Sequence, residues 1–504
     1  MPPTFEYDFA SNVFGFKGKS SFSTGLFINN EFVDSVSQET IDIITPVNGK
    51  TIGKTALANE KDIDVAVAAA KKAFETSWGQ KVPALDRGKL LFKLADLLEK
   101  NVDELAALEA LDTGKPMKFA RHVDLHYSME YLRYYAGWAD KMSGKTVETK
   151  DSKLTYTRYE PIGVCGLIVP WNFPLMNACW KLGPALATGN TVVFKPSEIT
   201  PLTSLRLGEL IKEAGFPPGV VNIVPGYGWT AGSAISSHMD IGKVSFTGST
   251  NVGRQVMKAA AESNLKKVTL ELGGKGPAVV LDDAHLEDAL KWTAFGVMFN
   301  QGQICYACSR VYVHESVYDM FLSYYKHIMK SLPIGDPFSP TTFNGALASE
   351  AHFNRVMKYI EIGKKEGATL LAGGERWGTE GFYVKPTVFA DVTPDMTLVK
   401  EEVFGPVVVV CKFKTEEELI KMANDSEFGL AAAVYSRDVT KAITTANAIQ
   451  AGTVWVNMSG MPDPSMPFGG FKQSGIGRDF GEEALHGYVE TKSVHINLTN
   501  KPPF

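Results

Sequence analysis

The sequence predicts an α/β fold with two doubly wound α/β domains and a small additional β element. Three observations carry this expectation. From Gly163 to Glu271, short apolar strands alternate with helical stretches, the pattern of a parallel sheet with helices on both faces. The same alternation restarts near Ala278 and runs to Asn457. At 504 residues the chain is also too long for one ordinary core.

The elements follow in order. Phe27–Val33 and Asp42–Ile44 read as strands between turn residues, and Asp62–Phe74 as an Ala-rich helix. Asp86 is placed to N-cap a helix whose Leu90, Leu91, Leu94, Leu97 and Leu98 share one face. A further helix is expected over His122–Gly144. Val164–Val169, Thr191–Lys195, Val220–Val224, Lys243–Phe246 and Val268–Glu271 are the strands of the first series. Ser309–Val313, Val407–Phe413, Ala432–Tyr435 and Thr453–Asn457 belong to the second, and Met458–Ser474 reads as a long loop. Leu154–Tyr159 and Tyr488–Leu498 alternate like strands yet belong to neither series.

Composition narrows the function. Hydrophobic content of 44%, charged content of 21% and a net charge of −5 describe an ordinary globular protein. Scattered Lys and Arg argue against a nucleic-acid surface or a polybasic membrane patch. No apolar run is long enough to span a bilayer. No metal-ligand spacing stands out, so no metal is expected. Five cysteines, an odd number in so long a chain, suggest a reducing compartment, and with no targeting segment evident the cytoplasm is expected.

Chemistry gathers at a few turns. Phe299–Arg310 reads F-N-Q-G-Q-I-C-Y-A-C-S-R and sets Cys305 on a tight turn between buried elements, where nucleophiles often sit. A small buried core residue is the other reading of that cysteine. Gly226-Tyr-Gly228-Trp-Thr-Ala231 fits the dinucleotide fingerprint but lacks the acid about twenty residues on. Phe246-Thr-Gly248-Ser249-Thr-Asn-Val-Gly253 also links a strand to a helix, and a helix N-terminus favours an anion such as pyrophosphate. Glu271 ends an apolar strand before two glycines, where a carboxylate seldom sits without a task. Asn172, between Pro170 and Pro174, offers an amide donor suited to an oxyanion. Lys195 and Glu198, three apart at another strand end, could grip ribose hydroxyls.

Together, Asn172, Lys195, Phe246–Gly253, Glu271–Lys275 (E-L-G-G-K), Gly302–Cys305 (G-Q-I-C), Glu402–Pro406 (E-V-F-G-P) and Pro467–Gly470 (P-F-G-G) resemble the aldehyde dehydrogenase superfamily. The similarity covers nearly the whole chain and is nearest the NAD-dependent tetrameric branch of broad specificity. The resemblance implies a Rossmann-like NAD-binding domain (1–139 and 162–273), a catalytic domain (274–474) and an oligomerisation element (140–161 and 475–504). It implies oxidation of aldehydes to carboxylic acids through a thiohemiacetal and thioester on Cys305, with Asn172 holding the oxyanion and Glu271 activating water. NAD is the implied cofactor, with NADP a poorer alternative. Its contacts would come from Trp171, Lys195, Glu198, Gly228, Phe246, Gly248, Ser249, Gly253, Leu272, Glu402 and Phe404. Tyr127, Phe173, Asn177, Trp180, Phe299, Ile304 and Phe468 would line the substrate tunnel. The implied assembly is a homotetramer. Asn177, Gly460 with Pro462, and Cys308 depart from the family pattern, which leaves open a dedicated enzyme for one bulky or amino aldehyde. Cys308 also sets a second thiol three residues from Cys305, where it could rescue an oxidised nucleophile; filling a small buried space is its other reading.

Overall fold

Five parallel strands form the centre of the first sheet: Lys267–Glu271, Lys243–Thr247, Val164–Ile168, Thr191–Lys195 and Val221–Ile223, in that spatial order. The structure is a computed structural model describing residues 1–9, 15–460, 462–499 and 501–502. Val164–Ile168, Thr191–Lys195 and Lys243–Thr247 are buried along their whole length, which is why they read as continuous runs rather than alternating ones. Gly475–Ile476 pairs antiparallel on one edge, and a hairpin of Leu26–Ile28 and Glu31–Val33 closes the other.

The second sheet orders Thr369–Ala372, Thr387–Ala390, Val407–Phe413, Arg310–His314, Pro277–Val280, Ala431–Tyr435 and Thr453–Val456, all parallel but the first. Outside both sheets, Lys153–Pro161 and Val489–Asn497 pair antiparallel over nine residues. The two stretches that belonged to no series are therefore each other's partners.

Several local expectations need correction. Phe27–Val33 is two strands, because Asn29 (φ 56°) and Asn30 (φ 62°) turn the chain back, the backbone a tight hairpin demands. Asp86 is not an N-cap. The helix Ala84–Lys100 starts behind Pro83, and Asp86 sits in its first turn, paired with Lys89. Leu90 is only partly buried, whereas the other four leucines of the stripe are core. The expected helix over His122–Gly144 is a π-turn, Ala120–Leu125, followed by an α-helix, His126–Trp138. The loop after Met458 contains short pairings, Phe471–Lys472 on Phe428–Gly429 and a bridge from Phe468 to Asp479. Among the described residues, no helix is long and apolar enough to cross a membrane.

Candidate active site

The turn that carries Cys305 is wound the wrong way for most residues. Helix Leu286–Met298 ends, and then Asn300 (φ 49°), Gln301 (φ 57°) and Gly302 (φ 70°) adopt left-handed backbone in succession. Such strain persists only where the surroundings over-determine it. Asn300 Nδ2 donates to the Asn172 carbonyl (3.1 Å), Gln303 N–H to the Asn300 carbonyl (3.0 Å), and Ala348 N–H to Gln303 Oε1 (3.0 Å). Two glycines permit the approach. A Cβ on Gly302 would lie 2.1 Å from the Gly405 carbonyl oxygen, and one on Gly274 would lie 2.3 Å from that of Cys305. Gly302 thus lets the turn close on the Gly405–Pro406 backbone, and Gly274 lets its own strand end close on Cys305.

Cys305 is half-buried. Burial pushes its thiol above the ordinary range, and the Glu402 and Glu271 carboxylates push the same way; the N–H groups of Tyr306 and Cys305 oppose them. Glu271, at the end of its strand, is buried, and its Oε2 has no hydrogen-bond partner. Burial holds its carboxyl well above the usual carboxylate range, aided by Asp479 and opposed by Lys181 and Arg478. Asn172 is also buried. Its amide donates to the Gln303 carbonyl at 3.0 Å, which uses one of two N–H groups and leaves the second.

Aromatic walls surround the thiol. Phe173, Trp180, Phe299, Ile304 and Phe468 belong to one apolar cluster, against which Tyr127 and Cys305 pack. Phe173 and Phe299 stack at 6.2 Å, and Trp180 meets Phe468 edge-on at 5.9 Å. Asn177, one turn before Trp180 on helix Pro174–Ala187, is buried, and its Oδ1 has no partner.

Parallel strands bring their carboxyl ends to one edge, where ligands of such sheets gather. Lys195 ends its strand buried, 3.3 Å from the Glu198 carboxylate, and burial lowers its pKa despite that partner. Of the two glycine turns, only the second opens a substantial helix. Ser249 N-caps the thirteen-residue helix Thr250–Glu262, accepting from Val252 N–H at 3.3 Å, whereas Gly228 is exposed on a π-turn before a five-residue helix. Phe246 and Leu272 lie beneath this turn; a Cβ on Gly248 or on Gly253 would each come within 2.5 Å of one of them. Ser249 and Glu402 both line a cleft of about 1130 Å³ that also holds Arg254, Arg355 and Lys400. Glu402 accepts from Gly274 N–H at 2.8 Å, and burial raises its pKa to about 7. Phe404 stands at φ 60° beside Trp171, ring centroids 5.3 Å apart at 90°.

A half-buried thiol, a buried carboxyl and a buried amide lie close together here, and the cleft lined by Ser249 and Glu402 is beside them. The whole stretch from residue 32 to residue 494 matches the model of the aldehyde dehydrogenase family. The chain belongs to that family. An aldehyde dehydrogenase of Agaricus bisporus is 57% identical over 501 residues, covering 99% of this chain and 100% of the relative. Human aldehyde dehydrogenase 1A1 is 50% identical over 480 residues, covering 95% and 96%. Among solved structures, the NAD⁺ complex of aldehyde dehydrogenase from Bacillus cereus is similar with a TM-score of 0.93 at 49% identity, covering 94% and 97%. The chain is accordingly an oxidoreductase of aldehydes.

In this family member, three features of the site were not visible in the sequence. His352, in helix Glu350–Lys365, donates from Nε2 to the Phe404 carbonyl at 2.7 Å and packs 4.8 Å from Trp171. Burial lowers its pKa to about 4, so it is neutral near pH 7. Lys181 and Asp479 form a buried ion pair at 2.9 Å, and Trp180 Nε1 donates to the same carboxylate at 2.6 Å. Lys115 reaches the Asn172 carbonyl at 2.8 Å. No local motif announces any of them, because each pair is far apart in sequence.

Cys308 was open to two readings, rescue of an oxidised Cys305 or plain packing. Its side chain is buried in the core of the second sheet with Val280, Val311 and Val410, while Cys305 packs in the aromatic cluster. The two thiols pack in different clusters, which favours the space-filling reading of Cys308 over rescue of an oxidised Cys305.

Proposed function

We propose that the enzyme oxidises aldehydes to carboxylic acids with NAD through a thioester on Cys305. The observation that carries this is the convergence of Cys305, Glu271 and Asn172 at one turn walled by aromatic rings. Cys305 Sγ attacks the carbonyl carbon; a C–S bond forms, the carbonyl π pair moves to oxygen, and the thiol proton leaves to solvent water, directly or by way of Glu271, which ends the step unprotonated. The free N–H of the Asn172 amide and the Cys305 backbone N–H hold the resulting oxyanion. Bound NAD supplies the hydride acceptor that turns the thiohemiacetal into the thioester. Glu271 then takes a proton from water, the water oxygen attacks the acyl carbon, and the Cys305 thiolate leaves as the acid forms.

The donor set suits that cofactor. Lys195 and Glu198 match two ribose hydroxyls, the N-terminus of helix Thr250–Glu262 with Ser249 matches a pyrophosphate, and Glu402, Phe404 and Trp171 match the nicotinamide half. Gly228, Phe246, Gly248, Gly253 and Leu272 shape the floor. Apolar walls of Tyr127, Phe173, Trp180, Phe299, Ile304 and Phe468, all but Ile304 aromatic, suit a broad range of aliphatic and aromatic aldehydes, and buried Asn177 adds one acceptor for a polar substituent. Mixing the protein with NAD and a short aldehyde should raise the absorbance of reduced cofactor. No increase with any of several aldehydes would overturn the reading.

NAD should be preferred to NADP. A carboxylate at Glu198 repels a 2′-phosphate, and juxtaposed like charges cost of order 1 kcal/mol or more. Glu198→Gln should therefore improve kcat/KM for NADP relative to NAD by about tenfold or more. An unchanged ratio would remove Glu198 from this role.

The assembly we propose is a homotetramer, with the cytoplasm as its compartment, as five unpaired cysteines support. A lone two-stranded ribbon is marginal in water, and Lys153–Pro161 with Val489–Asn497 stands outside both sheets with much of its surface exposed. A second subunit pairing along or packing on it would resolve that. Light scattering should give about four times the chain mass at micromolar concentration. A monomeric mass would contradict the assembly.

A further inference from the structure

The main chain of Asn172 is fastened by a buried charge cluster that the chemistry above does not use. Lys115 follows the C-terminus of helix Val102–Thr113 and is 1% exposed. Its ammonium donates to the Asp124 carboxylate and, at 2.8 Å, to the Asn172 carbonyl. It also lies 3.7 Å from the Glu109 carboxylate and 4.4 Å from the Phe173 ring centre. Glu109 and Asp124 are wholly buried, and each keeps one carboxylate oxygen without a hydrogen bond.

Burying one cation with two acids is costly, and such clusters are poor sources of stability compared with apolar packing. The cluster does have one outlet toward the site. The Asn172 carbonyl receives two donors, Lys115 and Asn300, while its side-chain amide reaches Gln303, two residues before the nucleophile. Charge-assisted bonds are about twice as strong as neutral ones, so Lys115 is the stiffer of the two anchors. We propose that Lys115 is a positioning residue, fixing the Asn172 main chain and so the aim of its amide at the substrate oxygen. This rests on the reading that Asn172 stabilises the oxyanion. The aim matters, because a displacement of about 1 Å in such a donor can cost on the order of a hundredfold in rate.

The test is a mutant cycle with kcat and KM measured per folded active site. Lys115→Met is one variant. Lys115→Met with Asp124→Asn is the second, which removes the cation together with one acid and so limits the stranded charge. Each is made with native Asn172 and with Asn172→Ala. With native Asn172, both should lower kcat by about tenfold or more, with the KM for NAD little changed. On Asn172→Ala, where the amide is gone, the same changes should cost less than about twofold, since residues that act through one group are not additive. Equal losses on both backgrounds, or no loss with native Asn172, would overturn the proposal. So would failure of the charge-compensated variant to fold, which would assign Lys115 to stability. If Asn172→Ala alone left kcat unchanged, the oxyanion reading would fall instead, and the role of Lys115 with it.

Discussion

Cys305→Ala should lose aldehyde oxidation by more than about a thousandfold, the scale on which covalent catalysts fail without their nucleophile. The other four cysteines cannot substitute, because Cys165, Cys179, Cys308 and Cys411 are all buried in the cores of the two sheets, whereas Cys305 is partly exposed beside the aromatic cluster. Binding of NAD should be nearly unchanged, since the residues proposed to hold the cofactor lie along the sheet edge and on the cleft wall. Steady-state rates with a cofactor titration check both halves. Oxidation at more than about a thousandth of the native rate would point to another nucleophile.

Glu271→Gln should separate the two halves of the reaction. Acyl transfer to water should fall by about a hundredfold or more, the usual contribution of a positioned general base. Formation of the thioester should continue, so mixing with NAD and aldehyde should give a burst of reduced cofactor close to one per site, then little turnover. The native enzyme should also show a pH limb of known sign. Burial and Asp479 raise the Glu271 pKa, so the carboxyl holds its proton to a higher pH than an ordinary glutamate. A base must be unprotonated to act, so kcat should climb as pH rises through that raised value. The limb should vanish in the glutamine variant, and its survival there would assign it to another group such as Glu402, whose pKa is about 7.

How much of this was legible in the chain depends on the range of the interaction. Strands buried on both faces announce themselves as apolar runs, and glycines mark where two backbones meet, so the sheets and the Cys305 turn were readable. The hairpin at Asn29 and Asn30 was missed because its two halves, Leu26–Ile28 and Glu31–Val33, are shorter than a period can define. The N-terminus at Pro83 was misplaced because Asp86 is an equally good first-turn acid. His352, Lys115 and the Lys181–Asp479 pair act across 52, 57 and 298 residues respectively. Nothing in their neighbours betrays that, and only the folded chain puts a lysine from one helix end against the carbonyl of Asn172. Nearness in sequence is a weak guide in the other direction too: Cys308, three residues from Cys305, packs in a different core, just ahead of the strand that begins at Arg310.

The central claim is a covalent acyl group on one named sulfur. Glu271→Gln mixed with NAD and a short aldehyde, quenched in acid and digested, should yield the peptide around Cys305 heavier by the mass of the acyl group, at close to one per chain. Omitting NAD should leave that peptide unmodified, because a thiohemiacetal reverts on quenching whereas a thioester does not. An acyl group on any other residue, or none despite a full burst of reduced cofactor, would contradict the account.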